Sequence, residues 1–247
     1  MKVALFIPCY IDQFYPAAGV STLQLLQGLG VEVDYPIQQT CCGQPLANSG
    51  CEADAVKTYK HFIKTFTGYD YVVSPSGSCV YHVRKHYDII YQTEETKNIR
   101  EKIFELTEFL VDILKVTDVK ASFNRKVVLH QSCHGLRGLR LGPDSELNQT
   151  IPIRSTMKLL MANVKGLELV EPQRCDECCG FGGTFSVFEE GLSIRMGEDR
   201  IQDFIQTGAD YITAADSSCL MHIEGITRRK KQNIKVIHIA EILNSKE

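Results

Sequence analysis

Two short motifs constrain this chain more than anything else in it: Cys41-Cys42-Gly43 and Cys178-Cys179-Gly180. Each pair of adjacent cysteines sits between two outlying ones. The chain therefore reads Cys9, Cys41-Cys42-Gly43, Cys79 and then Cys133, Cys178-Cys179-Gly180, Cys219. The same arrangement of four thiols is written twice, and each set is expected to close one metal or iron–sulfur site. The rest of the chain must then be a scaffold that brings distant thiols together.

The surrounding sequence repeats with the thiols. YDYVVSPSGSCVYHV (69–83) aligns with ADYITAADSSCLMHI (209–223), bringing Cys79 onto Cys219 and His82 onto His222. IFELTEFL (103–110) aligns with VIHIAEIL (236–243), bringing Glu108 onto Glu241. A period of roughly 130–140 residues is too long for a solenoid repeat and suits two similar domains. The division is expected in the polar stretch 115–123, giving a first domain over 1–118 and a second over 119–247.

Each half alternates between short apolar runs and helical periodicity. VALFIP (3–8), VEVDYP (31–36) and YDYVVSPS (69–76) read as strands in the first half; KVVLHQS (126–132), GLELVEP (166–172) and DYITAADS (210–217) answer them in the second. Helices are expected over 17–29, 53–66, about 79–91, 155–164 and 192–206. The segments 102–114 and 235–243 should open as strands and close as helices. This alternation predicts an α/β fold of two pseudo-symmetric, duplicated units, each with a parallel sheet. All three cysteine positions of each half fall just beyond the end of a predicted strand. Ligands of open α/β sheets bind outside the carboxyl ends of the strands. Spacings of roughly 30–45 residues are what strand–helix–strand crossovers produce, and the crossovers cancel that distance in space.

Thiolates favour zinc, copper(I) and iron–sulfur clusters. Ordinary zinc pairs place two to four residues between their cysteines, whereas neighbouring thiols suit a polynuclear cluster. Gly43 and Gly180 permit a sharp turn that aims amide N–H groups at the sulfurs, and Gly182 and Gly183 extend the second loop. Cys79 and Cys219 stand at predicted helix N-termini, where exposed N–H groups favour a thiolate. His82 and His222, three residues on, are candidate ligands, proton-handling groups or outer hydrogen-bond donors. The competing reading makes them packing residues between helix and sheet. His134 is a candidate lining residue. Cys175, in Cys175-x-x-Cys178, is a candidate fifth ligand or redox partner with no counterpart in the first half.

Composition narrows the setting. A net charge of −3 gives no sign of a nucleic-acid partner. The apolar run at the N-terminus is too short for a secretory signal, and no stretch approaches the length of a membrane-spanning helix. A cytoplasmic protein is expected. There, ten cysteines point to metal binding or redox chemistry rather than structural disulfides. GFGG (180–183) lacks the spacing of a nucleotide-binding loop.

The doubled Cys-Xn-Cys-Cys-Gly-Xn-Cys resembles the cysteine-rich (CCG) domain family. That domain occurs in the cysteine-rich subunit of heterodisulfide reductase, the iron–sulfur subunit of glycolate oxidase and lactate utilization protein A. The segments GSCVYHV, DECCGFGGTF and SSCLMHI are most similar to the last of these. The heterodisulfide reductase relatives end each motif in C-x-x-C, where this chain has Cys79-x-x-His82 and Cys219-x-x-His222. That departure points away from noncubane clusters and disulfide cleavage. The resemblance implies a [4Fe–4S] cluster on one or both thiol sets, in a redox subunit for oxidation of L-lactate to pyruvate. Its implied partners are redox proteins of the same complex, one rich in ferredoxin-type clusters. The alternatives are a zinc-stabilised binding or assembly module, with zinc in one or both sets, and a thiol/disulfide redox subunit like that of heterodisulfide reductase.

Overall fold

A computed structural model describes residues 1–142 and 154–247 and shows an α/β protein built on two four-stranded parallel sheets. The first half contains β1 (Lys2–Leu5), α1 (Cys9–Phe14), α2 (Pro16–Gly28), β2 (Glu32–Asp34), α3 (Gln44–Asn48), α4 (Glu52–Phe66), β3 (Tyr71–Ser74), α5 (Gly77–His86), α6 (Glu94–Lys102), β4 (Ile103–Glu105) and α7 (Leu106–Glu108). A π-turn over Phe109–Ile113 extends α7. The second half contains β5 (Lys126–Leu129), a π-turn over His134–Gly138, α8 (Thr156–Met161), β6 (Glu168–Val170), α9 (Phe185–Phe188), α10 (Glu190–Gln206), β7 (Tyr211–Ala214), α11 (Ser217–Arg229), β8 (Lys235–His238) and α12 (Ile239–Asn244).

Strand order is β2-β1-β3-β4 in the first sheet and β6-β5-β7-β8 in the second. The register repeats as well: Val3 pairs with Val33 and Tyr71, and Val127 pairs with Leu169 and Tyr211. In both sheets the chain leaves its first strand, adds a neighbour on one side and then crosses to the other. That reversal opens a crevice at the carboxyl ends of β1 and β3, and of β5 and β7.

Side chains alternate between the two faces of each central strand. Val3, Leu5, Val127 and Leu129 face a core common to both halves, joined there by Leu25, Leu26, Leu160, Ile242 and Leu243. The closing segment of each half lies on the other half: α12 packs against α2, and α7 against α8. Ala4 and Phe6 face a separate core with Tyr59, Phe62 and Phe66, and Val128 faces a third with Phe204, Ile212 and Ile223. The thiol sets lie at the edges of these two outer cores, where Cys42 and Cys179 are buried.

The strands expected from the apolar runs are all present but shorter. α2, α4, α8, α10 and the strand-to-helix closures fall where periodicity places them. Four helices, α1, α3, α6 and α9, have no such signal. α1 is only six residues long and sits between Pro8 and Pro16. α6 buries little besides Thr96 and Ile99, and its stability comes from its ends: Thr93 Oγ1 accepts from Thr96 N, Glu94 and Glu95 occupy the first turn, and Arg100 and Lys102 the last.

Candidate metal centre

All eight cysteines of the two sets line one cavity of about 570 Å³. Each thiol arrives on a different structural device. Cys9 is the first residue of α1, directly beyond β1, and Cys133 precedes the π-turn beyond β5. Cys79 and Cys219 are the third residues of α5 and α11. The Cys-Cys-Gly loops follow β2 and β6.

Within the first set, the Sγ atoms of Cys9 and Cys41 are 3.8 Å apart and those of Cys42 and Cys79 are 3.4 Å apart. Gly43 N donates to Cys41 Sγ at 3.3 Å, and Gly180 N donates to Cys178 Sγ at 3.4 Å. A left-handed backbone delivers that donor, and φ is 88° at Gly43 and 86° at Gly180. A Cβ at Gly43 would lie 2.6 Å from the Tyr59 ring, and one at Gly180 would lie 2.6 Å from the Ser193 carbonyl oxygen. Both positions therefore require glycine on two independent grounds.

The thiols of each set form a chain of contacts that converges on the first cysteine of the adjacent pair. Contacts with Cys42 and Cys9 lower the pKa of the Cys41 thiol. Contacts with Cys133 and Cys179 do the same for Cys178. The thiols of Cys9, Cys42, Cys133 and Cys179 are pushed up by these same contacts and by burial. Each set is thus a compact, partly buried group of four sulfurs. This donor set fits a soft metal or an iron–sulfur cluster, whose binding requires deprotonated thiols.

The candidate accessory residues separate into two groups. His134 lines the cavity, with its ring 5.2 Å from that of Tyr81. Gly182 and Gly183 also line it. His82, His222 and Cys175 do not. His82 is buried, its Nε2 lies 3.0 Å from the Tyr59 hydroxyl, and burial with the neighbouring His86 pushes its pKa down to about 3. His222 Nε2 lies 3.3 Å from the Ser193 carbonyl, behind the second loop, and burial lowers its pKa. Both rings thus contact groups behind the thiol loops and do not line the cavity. The Cys175 thiol contacts the Pro172 carbonyl at 3.4 Å, away from the cavity.

Three polar residues near the thiols are not evident from the motifs. His130 is fully buried, and neither of its ring nitrogens has a hydrogen-bond partner. A ring nitrogen of His130 and the sulfurs of Cys179 and Cys219 all lie within 4.8 Å of one another. Burial, followed by the charge of Arg200, pushes the His130 pKa down to about 3, so its imidazole is neutral. Asp216 ties the halves together: its Oδ1 accepts from Ser76 Oγ at 2.9 Å, Ser78 N at 3.0 Å and Ser78 Oγ at 2.8 Å. It thereby caps α5 of the other half, and its buried Oδ2 has no partner. His238 donates from Nε2 to the Pro75 carbonyl at 3.0 Å, again across the halves, while its Nδ1 accepts from Ala240 N. The sequence signal for all three lies in the mismatches of the internal alignment: Phe6 against His130, Ser76 against Asp216, and Glu105 against His238.

Comparison with known proteins agrees with this architecture. The profile of the cysteine-rich domain family, CCG, matches residues 3–84 and 127–224, which carry both thiol sets. Lactate utilization protein A of Geobacillus sp. (strain WCH70) is 43% identical over 100% of both chains. The protein of that name from Bacillus subtilis (strain 168) is 42% identical, also over 100% of both. Among solved structures, a hypothetical protein from Helicobacter pylori superposes with a TM-score of 0.57 at 12% identity, covering 98% of this chain and 48% of the other. That likeness concerns the fold alone. Among the described residues, no helix is long and apolar enough to cross a membrane. With both halves matched and relatives aligned from end to end, this chain belongs to the cysteine-rich CCG domain family and is a full-length relative of lactate utilization protein A.

Proposed function

We propose that this chain is the cysteine-rich redox subunit of an L-lactate-oxidising assembly, with an iron–sulfur cluster held by each thiol set. The observation that carries this reading is the convergence of eight cysteines on one cavity. Cys9, Cys41, Cys42 and Cys79 would hold the first cluster, and Cys133, Cys178, Cys179 and Cys219 the second. The [4Fe–4S] type suits four thiolates per set. When bound, such clusters supply one-electron redox chemistry.

The chain's own residues perform the supporting tasks. Gly43 and Gly180 turn their amides onto sulfur, which favours the thiolate form. The two outer cores shield Cys42 and Cys179 from water. Asp216, Ser76 and His238 lock the two halves together beside the cavity. The residues 1–118 and 119–247 would each supply one thiol set, but the common core means that neither is expected to fold well alone.

The lactate assignment rests on the end-to-end similarity to lactate utilization protein A. Oxidation of a hydroxy acid releases two electrons, and the sequence carries no flavin or nicotinamide fingerprint. Partner redox proteins, one with ferredoxin-type clusters, would complete the reaction in the cytoplasm. Reconstitution tests this. L-Lactate should reduce a dye acceptor only when this chain is combined with its co-purified partners, and Cys41→Ser should abolish that reduction. Full activity of the partners without this chain would contradict the assignment. The competing reading places zinc in the second set, where His130 joins Cys179 and Cys219 within 4.8 Å. Zinc is held by mixed nitrogen and sulfur ligands as well as by sulfur alone, and metal analysis of a Cys41→Ser variant separates the two readings.

A further inference from the structure

The duplication is broken at one position inside a thiol set. Phe6 and His130 occupy equivalent places, since Phe6 N donates to the Val73 carbonyl at 2.9 Å and His130 N to the Thr213 carbonyl at 2.8 Å. Both side chains face an outer core. Phe6 makes edge contacts with Phe62 and Phe66 at ring separations of 4.9 and 5.6 Å. His130 makes one such contact, with Phe204 at 5.9 Å. The remainder of its ring faces the sulfurs of Cys179 and Cys219.

A buried imidazole with two unpartnered nitrogens is costly, because its N–H has lost water and gained nothing. A neutral imidazole always carries one N–H. The sulfurs of Cys179 and Cys219 lie within 4.8 Å of one ring nitrogen, and the first set has only a phenyl ring at the matching place. We propose that His130 donates a hydrogen bond to a thiolate of the second set, Cys179 or Cys219, and thereby gives the second redox centre a higher reduction potential than the first. A donor aimed at sulfur stabilises the extra negative charge of the reduced state, and such bonds are among the means by which proteins set cluster potentials. The inference rests on the proposed iron–sulfur reading. It adds an inequality between two sites whose thiols alone would make them alike.

The test uses the intact chain purified without oxygen. Pulsed electron paramagnetic resonance of the reduced wild-type protein, with histidine labelled by nitrogen-15, should show weak coupling to one imidazole nitrogen. His130→Phe, which copies the first half, should keep the wild-type iron content, lose that coupling and lower the potential of one centre towards that of the other. His130→Gln retains an N–H donor and should restore part of the difference. Iron-loaded protein without nitrogen coupling, or with potentials unchanged in His130→Phe, overturns the proposal while leaving the cluster reading intact. Strong coupling, of the size seen for a directly bound imidazole, also overturns it by making His130 a ligand. A preparation without iron removes the cluster reading and this proposal together. If the phenylalanine variant does not fold, the wild-type spectrum still tests the hydrogen bond, and a redox titration of the wild-type protein that gave equal potentials for the two centres would overturn the inequality.

Discussion

The two thiol sets share their strands, register and glycine turns, but they differ in what surrounds the sulfurs. The first is walled by aromatic rings: Tyr59 stacks on Tyr87 at 4.2 Å, and the Tyr87 hydroxyl donates to the Cys42 carbonyl at 2.9 Å. The second has His130 against its sulfurs, with the buried Arg200–Asp203 pair nearby at 2.9 Å. A soft metal group responds to its surroundings through hydrogen bonds and local dielectric. The scaffold therefore provides two equivalent thiol sets, and the mismatched residues give them unequal surroundings.

Disabling one set at a time tests that comparison with the largest effect. Cys41→Ser and Cys178→Ser should each remove about half of the bound iron, leaving the spectrum of the opposite set in place. Loss of all iron from either variant would show that the sets are not separate sites. Analysis by inductively coupled plasma spectrometry with parallel paramagnetic resonance gives the answer.

The equivalent positions Glu105 and His238 sharpen the comparison through pH. Burial raises the Glu105 pKa to about 8. From the ordinary carboxylate range up to that value, the folded chain keeps a proton that the unfolded chain releases, so stability falls as pH rises through the window. Burial lowers the His238 pKa to about 4. Between there and the ordinary histidine range the unfolded chain takes up a proton that the folded chain refuses, so stability falls as pH drops. Glu105→Gln should flatten the alkaline side by on the order of 2–4 kcal/mol and His238→Asn the acid side by on the order of 2 kcal/mol. Denaturant melts at pH 5, 6.5 and 8 would measure both, and a slope unchanged in either variant would reject its assignment.

Glycine replacement gives a smaller effect. Gly43→Ala and Gly180→Ala should each cost about 1–3 kcal/mol from backbone strain alone. Gly180→Ala should be the worse, since its new methyl meets a backbone carbonyl and Met196 Cβ at 2.7 Å, whereas Gly43→Ala meets the edge of a tyrosine ring. Thermal melts with equal midpoints would remove that distinction. The smallest effect belongs to Cys175→Ser. Its thiol lies outside the cavity, so iron content should stay within error of wild type, and a substantial loss would make it a ligand.

Most of this architecture is legible in the sequence because its signals are repeated. Apolar runs mark the strands, and the doubled motif shows which cysteines belong together. Repetition is a poorer guide for histidine. His82 and His222 match each other, yet both pack behind their loops rather than line the cavity. His130, Asp216 and His238 escape notice because an alignment of halves rewards identity, and their roles arise where the halves differ. The short α1 and the polar α6 carry too little apolar periodicity to be read, being fixed by prolines and by end charges respectively. The common core is also hidden, since periodicity shows that α2 and α12 have buried faces but not that those faces meet across the duplication.

If the eight converging cysteines hold two iron–sulfur clusters, the metal content of the chain must show it. Iron, zinc and acid-labile sulfide content of the wild-type chain, purified without oxygen, tests this most directly. The expected result is a brown protein with about four irons and four sulfides per thiol set, which become paramagnetic on reduction or oxidation. A colourless protein holding zinc, or no metal at all, would contradict it.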